Sequence, residues 1–249
     1  MHRILDPAQG RQISGSFCAL AIMTKAPRPG AVKTRLQPPL SAEEAAALNI
    51  AFLRDTARSA VAADELARAI AVYTPSGSEA AYEGVLPREF FGLLPQRGDA
   101  FGQRLHNAVA DLLQLGFSSC CLIDSDSPTV PAEVFAGAVD FLRTGRDRLV
   151  LGPSEDGGYY LIGMQKHHAR LFEEIDWSTE RVFAQTMKRA ADIGLSVNTL
   201  PTFFDVDDRA GLHRLCQELL GENRDSAPAT KAFLQQLIAR EGRERIWAR

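Results

Sequence analysis

The sequence predicts an α/β sandwich with a largely parallel sheet. Three observations carry that expectation. Apolar runs of strand length recur, as FCALAIM (17–23), ARAIAVYT (67–74) and the run at 119–123. These runs are continuous rather than alternating, as strands buried on both faces are. Segments with helical spacing lie between them, and strands that alternate with helices build parallel sheets covered on both sides.

Taken in order, strand 17–23 leads into a loop punctuated by glycine and proline, TKAPRPGAVKTRLQPPL. Ser41 then opens a helix to about residue 62, with Glu44 three positions on completing a capping box. Strand 67–74 follows, then a short helix or loop after Pro75 and a brief strand at 90–94. Residues 101–115 carry Phe101, Leu105, Val109, Leu112 and Leu113 on one helix face. Next come strand 119–123, helix 131–143 and strand 148–152, then a strand entered through glycines at 157–164. Helices are expected at 179–193 and 208–220 with the strand-like LSVNTLP between them, and a last amphipathic segment at 228–240. Residues 1–16 read as a flexible N-terminal extension. Residues 226–249 read as a C-terminal helical tail that packs on the body or leaves room for a homodimer.

The 249 residues suffice for one large domain or two small ones, and 45% hydrophobic with 24% charged content is ordinary for a soluble globular protein. A formal net charge of −3 argues against a general nucleic-acid binder. No apolar run is long enough to enter a bilayer as a span, and MHRILDPAQGRQISGS lacks the apolar core of a signal peptide, so a cytoplasmic protein is expected. The four cysteines (Cys18, Cys120, Cys121 and Cys216) form no metal or redox spacing and read as small buried hydrophobes. The five histidines form no ligand pattern.

In open parallel sheets ligands bind beyond the carboxyl ends of the strands. Two charged loops emerge there. After strand 17–23, Lys25, Arg28, Lys33 and Arg35 surround Gly30 with no acid among them. Their mutual repulsion would be relieved by a phosphate, which guanidinium forks suit and which Gly30 lets approach the backbone. The bland alternative is a solvated basic loop. After strand 119–123, Asp124 and Asp126 in IDSDSP would face one side of an extended segment, a costly pairing unless a divalent cation such as Mg²⁺ or Mn²⁺ lies beside them. Their bland alternative is turn and capping chemistry. FFDVDD (203–208) repeats the spacing with Asp205 and Asp207, and Asp207 or Asp208 also suits the N-cap of the next helix.

Two further segments complete the set. In GPSEDGGYYLIG (152–163), Glu155 or Asp156 is a candidate base for an acceptor hydroxyl, against the alternative of a tight turn with exposed acids. RGDAFGQRL (97–105), with Gly98 and Asp99, is a loop entering a helix and suited to holding a ligand through backbone groups.

TKAPRPGAVKTRL, RGDAFGQRL, DSDSPTVP, LGPSEDGGYYLIG, IDWSTERV and FFDVDD, in this order, resemble a bacterial family of nucleotide-diphospho-sugar transferases with the A-type glycosyltransferase (GT-A) fold. That family looks related to molybdenum-cofactor and phospholactate guanylyltransferases. The resemblance covers roughly residues 17–215. It implies a single domain, a three-layer α/β/α sandwich around a mixed, mostly parallel sheet. It further implies that Lys25, Arg28, Lys33 and Arg35 cradle nucleotide phosphates and that Asp126 binds the metal. Asp124 completes a DxD look, although relatives often carry glycine and a small residue ahead of the metal-binding acid. Either Asp205 or Asp207 matches the late acidic motif.

Two chemistries use such parts: glycosyl transfer from a nucleotide-diphospho-sugar, and nucleotidyl transfer from an NTP to a phosphorylated acceptor with release of pyrophosphate. Lys33 and Arg35 would stabilise phosphoryl charge in either. A non-catalytic nucleotide-binding regulator is the third reading, and it leaves the candidate bases without a task.

Overall fold

The computed structural model describes residues 2–143, 145–222 and 224–247. Seven strands form one sheet: β1 (Cys18–Lys25), β2 (Ala67–Thr74), β3 (Gly92–Pro95), β4 (Ser119–Ile123), β5 (Arg148–Pro153), β6 (Tyr159–Met164) and β7 (Ser196–Thr199), in the order β3-β2-β1-β4-β6-β5-β7. All pairs are parallel except those of β6, which runs antiparallel to β4 and β5. The main helices are α1 (Ala42–Ala62), α2 (Phe101–Gln114), α3 (Ala132–Leu142), α4 (Val182–Asp192), α5 (Arg209–Cys216) and α6 (Pro228–Glu241). The mixed, mostly parallel α/β architecture is the one expected.

Side-chain alternation along the buried strands makes the three layers. Cys18, Leu20 and Ile22 of β1 pack with Leu53 and Ala57 of α1 and Phe135 and Ala138 of α3. Ala19 and Ala21 point the other way, into a cluster with Leu105, Val109 and Leu112 of α2. Cys120 and Cys121 divide between the same two clusters. α1 starts on the expected capping box: Ser41 Oγ accepts from Glu44 N–H (3.2 Å), and Ser41 N–H donates to Glu44 Oε2 (2.9 Å).

Residues 2–16 differ from the flexible extension expected. Leu5 N–H donates to Leu93 O and Leu93 N–H to Arg3 O, both at 2.8 Å, while Gln12 and Ile13 N–H groups reach Leu115 O. Leu5 and Ile13 are buried. The segment covers β3, whose outer edge would otherwise present unpaired backbone groups. The C-terminal tail is helical in α6, and its apolar residues Leu234 and Leu237 pack within this chain beside Leu48 and Phe52 of α1. Asp55 of α1, itself buried, accepts from Ala229 N–H (3.0 Å) and Thr230 N–H (2.8 Å), so a carboxylate inside the core caps the start of α6. Residues 1, 248 and 249 of the expected extension and tail lie outside the described residues.

The helix expected from 179 begins at Val182, because the preceding IDWSTER folds as a turn with Ser178 at φ +64°. Residues 209–216 are α-helical and pass into a π-helical turn over Gln217–Gly221. Among the described residues no helix is long and apolar enough to cross a membrane.

Candidate active site

The parallel strands β1, β2, β3 and β4 end at one rim. Reversal of β6 brings its first residues to the same rim, where Asp124 N–H donates to Tyr160 O (2.9 Å). Loops carrying opposite charge therefore converge. The β1 loop is fastened by Ala26 N–H to Thr74 O (2.8 Å), then turns through Arg28 and Gly30, with Ala31 N–H reaching Arg28 O (3.0 Å). Gly30 has φ +74°, a left-handed conformation that glycine adopts without steric cost.

Lys33 also sits in the left-handed region, at φ 48° and ψ 38°, unusual for a residue with a long side chain. Its ammonium holds it there. Lys33 Nζ lies 2.7 Å from Asp126 Oδ1 and donates to Asp207 Oδ1 (2.9 Å) and Val206 O (2.8 Å). An ammonium has three protons, and these three acceptors use them all. The side chain is 4% exposed. Burial alone would lower its pKa, but Asp126 and Asp207 outweigh burial and hold it above the usual lysine range. Sequence reasoning placed Lys33 on a nucleotide phosphate; here it links the basic loop to both acidic motifs.

The acidic motifs are themselves joined, since Val206 N–H donates to Asp126 O (3.0 Å). Asp124 and Asp126 do not face one side as an extended segment would have them. The chain turns, and Asp124 accepts from Asp126 N–H (3.3 Å), Ser127 N–H (3.2 Å) and Ser127 Oγ (2.9 Å). Burial, then Asp126, pushes its pKa well up. Asp124 thus braces the turn that presents Asp126, the capping alternative weighed from sequence. Asp205 has a pKa pushed up to about 6, by burial first and then by Asp156 and Asp207. Asp208 caps α5 by accepting from Gly211 N–H (2.9 Å).

Of the two candidate bases, the geometry separates one from the other. Both Glu155 oxygens engage the Arg214 guanidinium, with Oε1 at 2.8 Å from Nη2, and that pairing lowers the Glu155 pKa. A carboxylate held in that pair is a poorer proton acceptor than one without a cation partner. Asp156 accepts from Gly158 N–H through Oδ1 (2.8 Å) and borders the cleft. Gly157 makes the turn at φ +89°, and a Cβ there would meet Glu180 O at 2.2 Å.

The cleft has two adjoining halves. One, about 360 Å³, is lined by Lys25, Lys33, Arg35, Arg104, Asp126 and Asp207, among others. The second, about 450 Å³, is bordered by Asp124, Asp156, Tyr160 and Trp177, and shares Met23, Arg35, Phe101 and Asp207 with the first. Arg28, Gly30, Gly98 and Asp99, expected at the nucleotide, line neither half. Gly98 (φ +111°) and Asp99 instead shape the entry to α2: Gln103 Oε1 accepts from Asp99 and Ala100 N–H (both 3.2 Å), and Asp99 O accepts from Arg104 Nη1 (2.7 Å). Arg104, Gln96 and Asn49 are cleft residues that sequence reasoning missed. Arg104 lay inside a recognised motif, one helical turn past the loop that drew attention.

Asp126 and Asp207 converge on one cation position, and the ammonium of Lys33 takes it. Among the described residues, no group of three or more His, Cys, Asp or Glu side chains forms a metal shell. Two carboxylates are nevertheless what Mg²⁺ commonly draws from a protein when substrate phosphates and water complete its octahedron. The donor set fits a hard divalent cation on that basis.

Residues 56–179 match the family model described as "Uncharacterized protein conserved in bacteria (DUF2064)". Over a longer span, the chain is 28% identical to a crystal structure from Desulfovibrio desulfuricans G20, provisionally assigned as a nucleotide-diphospho-sugar transferase. The alignment covers 90% of this chain and 96% of that one, with a TM-score of 0.80. CMP:2-keto-3-deoxy-manno-octonic acid synthetase in complex with CTP shares the fold at 10% identity and TM-score 0.54, over 84% of this chain and all of that one (100%). Rv0371c from Mycobacterium tuberculosis H37Rv, in complex with manganese, shares it at 15% identity and TM-score 0.50, over 81% and 98%. A search among curated proteins returns no match. The fold of this chain is thus one shared with nucleotidyl- and nucleotide-diphospho-sugar transferases, and the transferase reading of its sequence stands.

Proposed function

We propose that this protein is a metal-dependent transferase that uses a nucleotide-diphospho-sugar donor. The observation that carries the proposal is the meeting of Lys25, Arg35 and Arg104 with Asp126 and Asp207 in one half of the cleft. Cations there suit a diphosphate, and the two acids suit the Mg²⁺ or Mn²⁺ that would accompany it. The Desulfovibrio protein's assignment and the manganese in Rv0371c support both parts.

In the proposed reaction an acceptor hydroxyl oxygen attacks the anomeric carbon of the sugar. The bond from that carbon to the diphosphate oxygen breaks, and its electron pair leaves with the nucleoside diphosphate. Asp156 takes the hydroxyl proton. Arg35, which borders both halves, stands where charge on the leaving diphosphate grows. A bound divalent cation would supply further charge neutralisation there. Lys33 keeps Asp126 and Asp207 together before the donor enters.

The test is to incubate the protein with Mg²⁺ or Mn²⁺ and a panel of NTPs and NDP-sugars, following pyrophosphate and free NDP. NDP released from one NDP-sugar supports the proposal. Pyrophosphate that appears only with an NTP and a phosphorylated acceptor overturns it in favour of nucleotidyl transfer.

A further inference from the structure

The second half of the cleft differs in chemistry from the first. Arg35, at the boundary, is the one cation among its described lining residues, against the carboxylates of Asp124, Asp156, Glu180 and Asp207. Asp207 is matched by Lys33, and Asp124 is engaged by its own turn. Asp156 keeps one oxygen on Gly158 N–H, and neither it nor Glu180 has an ion-pair partner among the described residues, so both can meet whatever enters.

The same half also carries aromatic rings. Trp177 stands edge-on to Phe101, with ring centroids 5.5 Å apart and planes at 82°. Its indole rests on Gly102 of α2, where an added Cβ would lie 2.3 Å from Nε1. Any other residue at 102 would displace the ring. The turn 175–181 fixes the other side, through Trp177 N–H to Ile175 O (3.0 Å) and Thr179 Oγ1 donating to Asp176 O (2.7 Å). Trp177 is left half-buried, so the ring forms a seated wall.

An aromatic face lining the same half as carboxylates that no cation pairs suits one kind of ligand. The apolar C–H face of a sugar ring covers the aromatic surface, and its hydroxyls donate to the acids. A phosphate monoester brings acceptors to acceptors and a dianion to a negative field, which disfavours binding. Resting on the donor reading above, we propose that this half of the cleft selects an uncharged sugar as acceptor and rejects its phosphorylated form.

Trp177 reports directly. The chain has two tryptophans, Trp177 and Trp247, so Trp247→Phe leaves Trp177 as the sole indole. Its fluorescence is titrated with a panel of methyl glycosides and with the matching sugar phosphates, in Mg²⁺ with UDP, GDP, CDP and ADP in turn. The proposal expects a saturable response to at least one glycoside, with the matching phosphate at least tenfold weaker. Glu180→Lys, an exposed charge reversal, should shrink that ratio at least threefold by favouring the phosphate. A phosphate that binds more tightly than its glycoside, or no saturable response to either class, overturns the proposal. Calorimetry of NDP binding on the same samples keeps the two readings apart: retained NDP binding with the acceptor preference reversed would sink only this inference.

Discussion

Lys33 Nζ lies 2.7 Å from Asp126 Oδ1, joining the loop after β1 to the loop after β4 at the rim of the sheet. The lysine is 4% exposed and Asp126 35% exposed, so the ammonium is sealed below while one face of the carboxylate is open to the cleft. A cation entering that cleft meets acids that already have a partner. Metal and lysine therefore compete for Asp126 and Asp207. Lys33→Met should raise the Mn²⁺ affinity of the nucleotide-free protein by on the order of tenfold, since the competitor is gone. In chelator the same variant should lose about 2 kcal/mol of stability, less than breaking a fully buried pair costs because both acids are partly exposed. Mn²⁺ titration by electron paramagnetic resonance and denaturant unfolding measure the two effects. Unchanged Mn²⁺ affinity would contradict the competition.

The neighbouring acids Glu155 and Asp156 should behave oppositely. Asp156→Asn removes the proposed base and should lower kcat by roughly 10²–10⁴-fold with little change in donor binding. Glu155→Gln disturbs an exposed pair with Arg214 and should leave kcat within about threefold. Steady-state kinetics of the two variants decides the assignment. Equal losses would restore Glu155 to the chemistry.

Asp205 predicts a pH dependence of stability in the metal-free protein. Its pKa is pushed up to about 6 in the fold, above the usual carboxylate range. The folded state therefore binds the proton more tightly than the unfolded state. The contribution is fully stabilising below about pH 4 and is lost as pH rises through about 6. Asp205→Asn, which cannot ionise, should be more stable than the parent at pH 7 by on the order of 1 kcal/mol, a figure reduced for partial exposure. That advantage should vanish by pH 4. Urea unfolding at the two pH values tests it, and an advantage independent of pH would refute the ionic cause.

Much of this was written in the order of residues. Continuous apolar runs placed β1, β2 and β4, and Ser41 with Glu44 placed the start of α1, because burial on both faces and capping are local in cause. Lys33, Asp126 and Asp207 were chosen as charged residues at strand ends, a position that parallel topology brings to one rim. Their partnership was not legible. The contact of Lys33 with Asp207 joins residues 174 positions apart, and no local pattern states which cation a carboxylate will meet. The Arg214 partner of Glu155 was hidden for the same reason, since it reaches that carboxylate from α5. Residues 2–16 were misread because polar composition hid Leu5 and Ile13, whose value lies in covering an edge that sequence alone does not reveal.

Arg104 carries the next prediction. Its guanidinium is steadied by Asp99 O at 2.7 Å and borders the diphosphate half of the cleft. Arg104→Ala should weaken NDP-sugar binding by on the order of tenfold and flatten its salt dependence, since one charge-assisted contact to phosphate is removed. Arg104→Lys should recover part of the affinity at low salt but not the geometry of a two-pronged contact. Calorimetry across ionic strength reads both, and an Ala variant with parental affinity would remove Arg104 from the nucleotide.

The central claim is that a diphosphate and its divalent cation are held between the basic loop and Asp126. Calorimetry of NDP-sugar binding with and without Mn²⁺, in the parent and in Asp126→Asn, tests it most directly. The account predicts that Mn²⁺ tightens binding in the parent by at least about tenfold and that Asp126→Asn abolishes this gain while unfolding remains cooperative. Binding that Mn²⁺ leaves unchanged in the parent, or a gain that survives in Asp126→Asn, would contradict it.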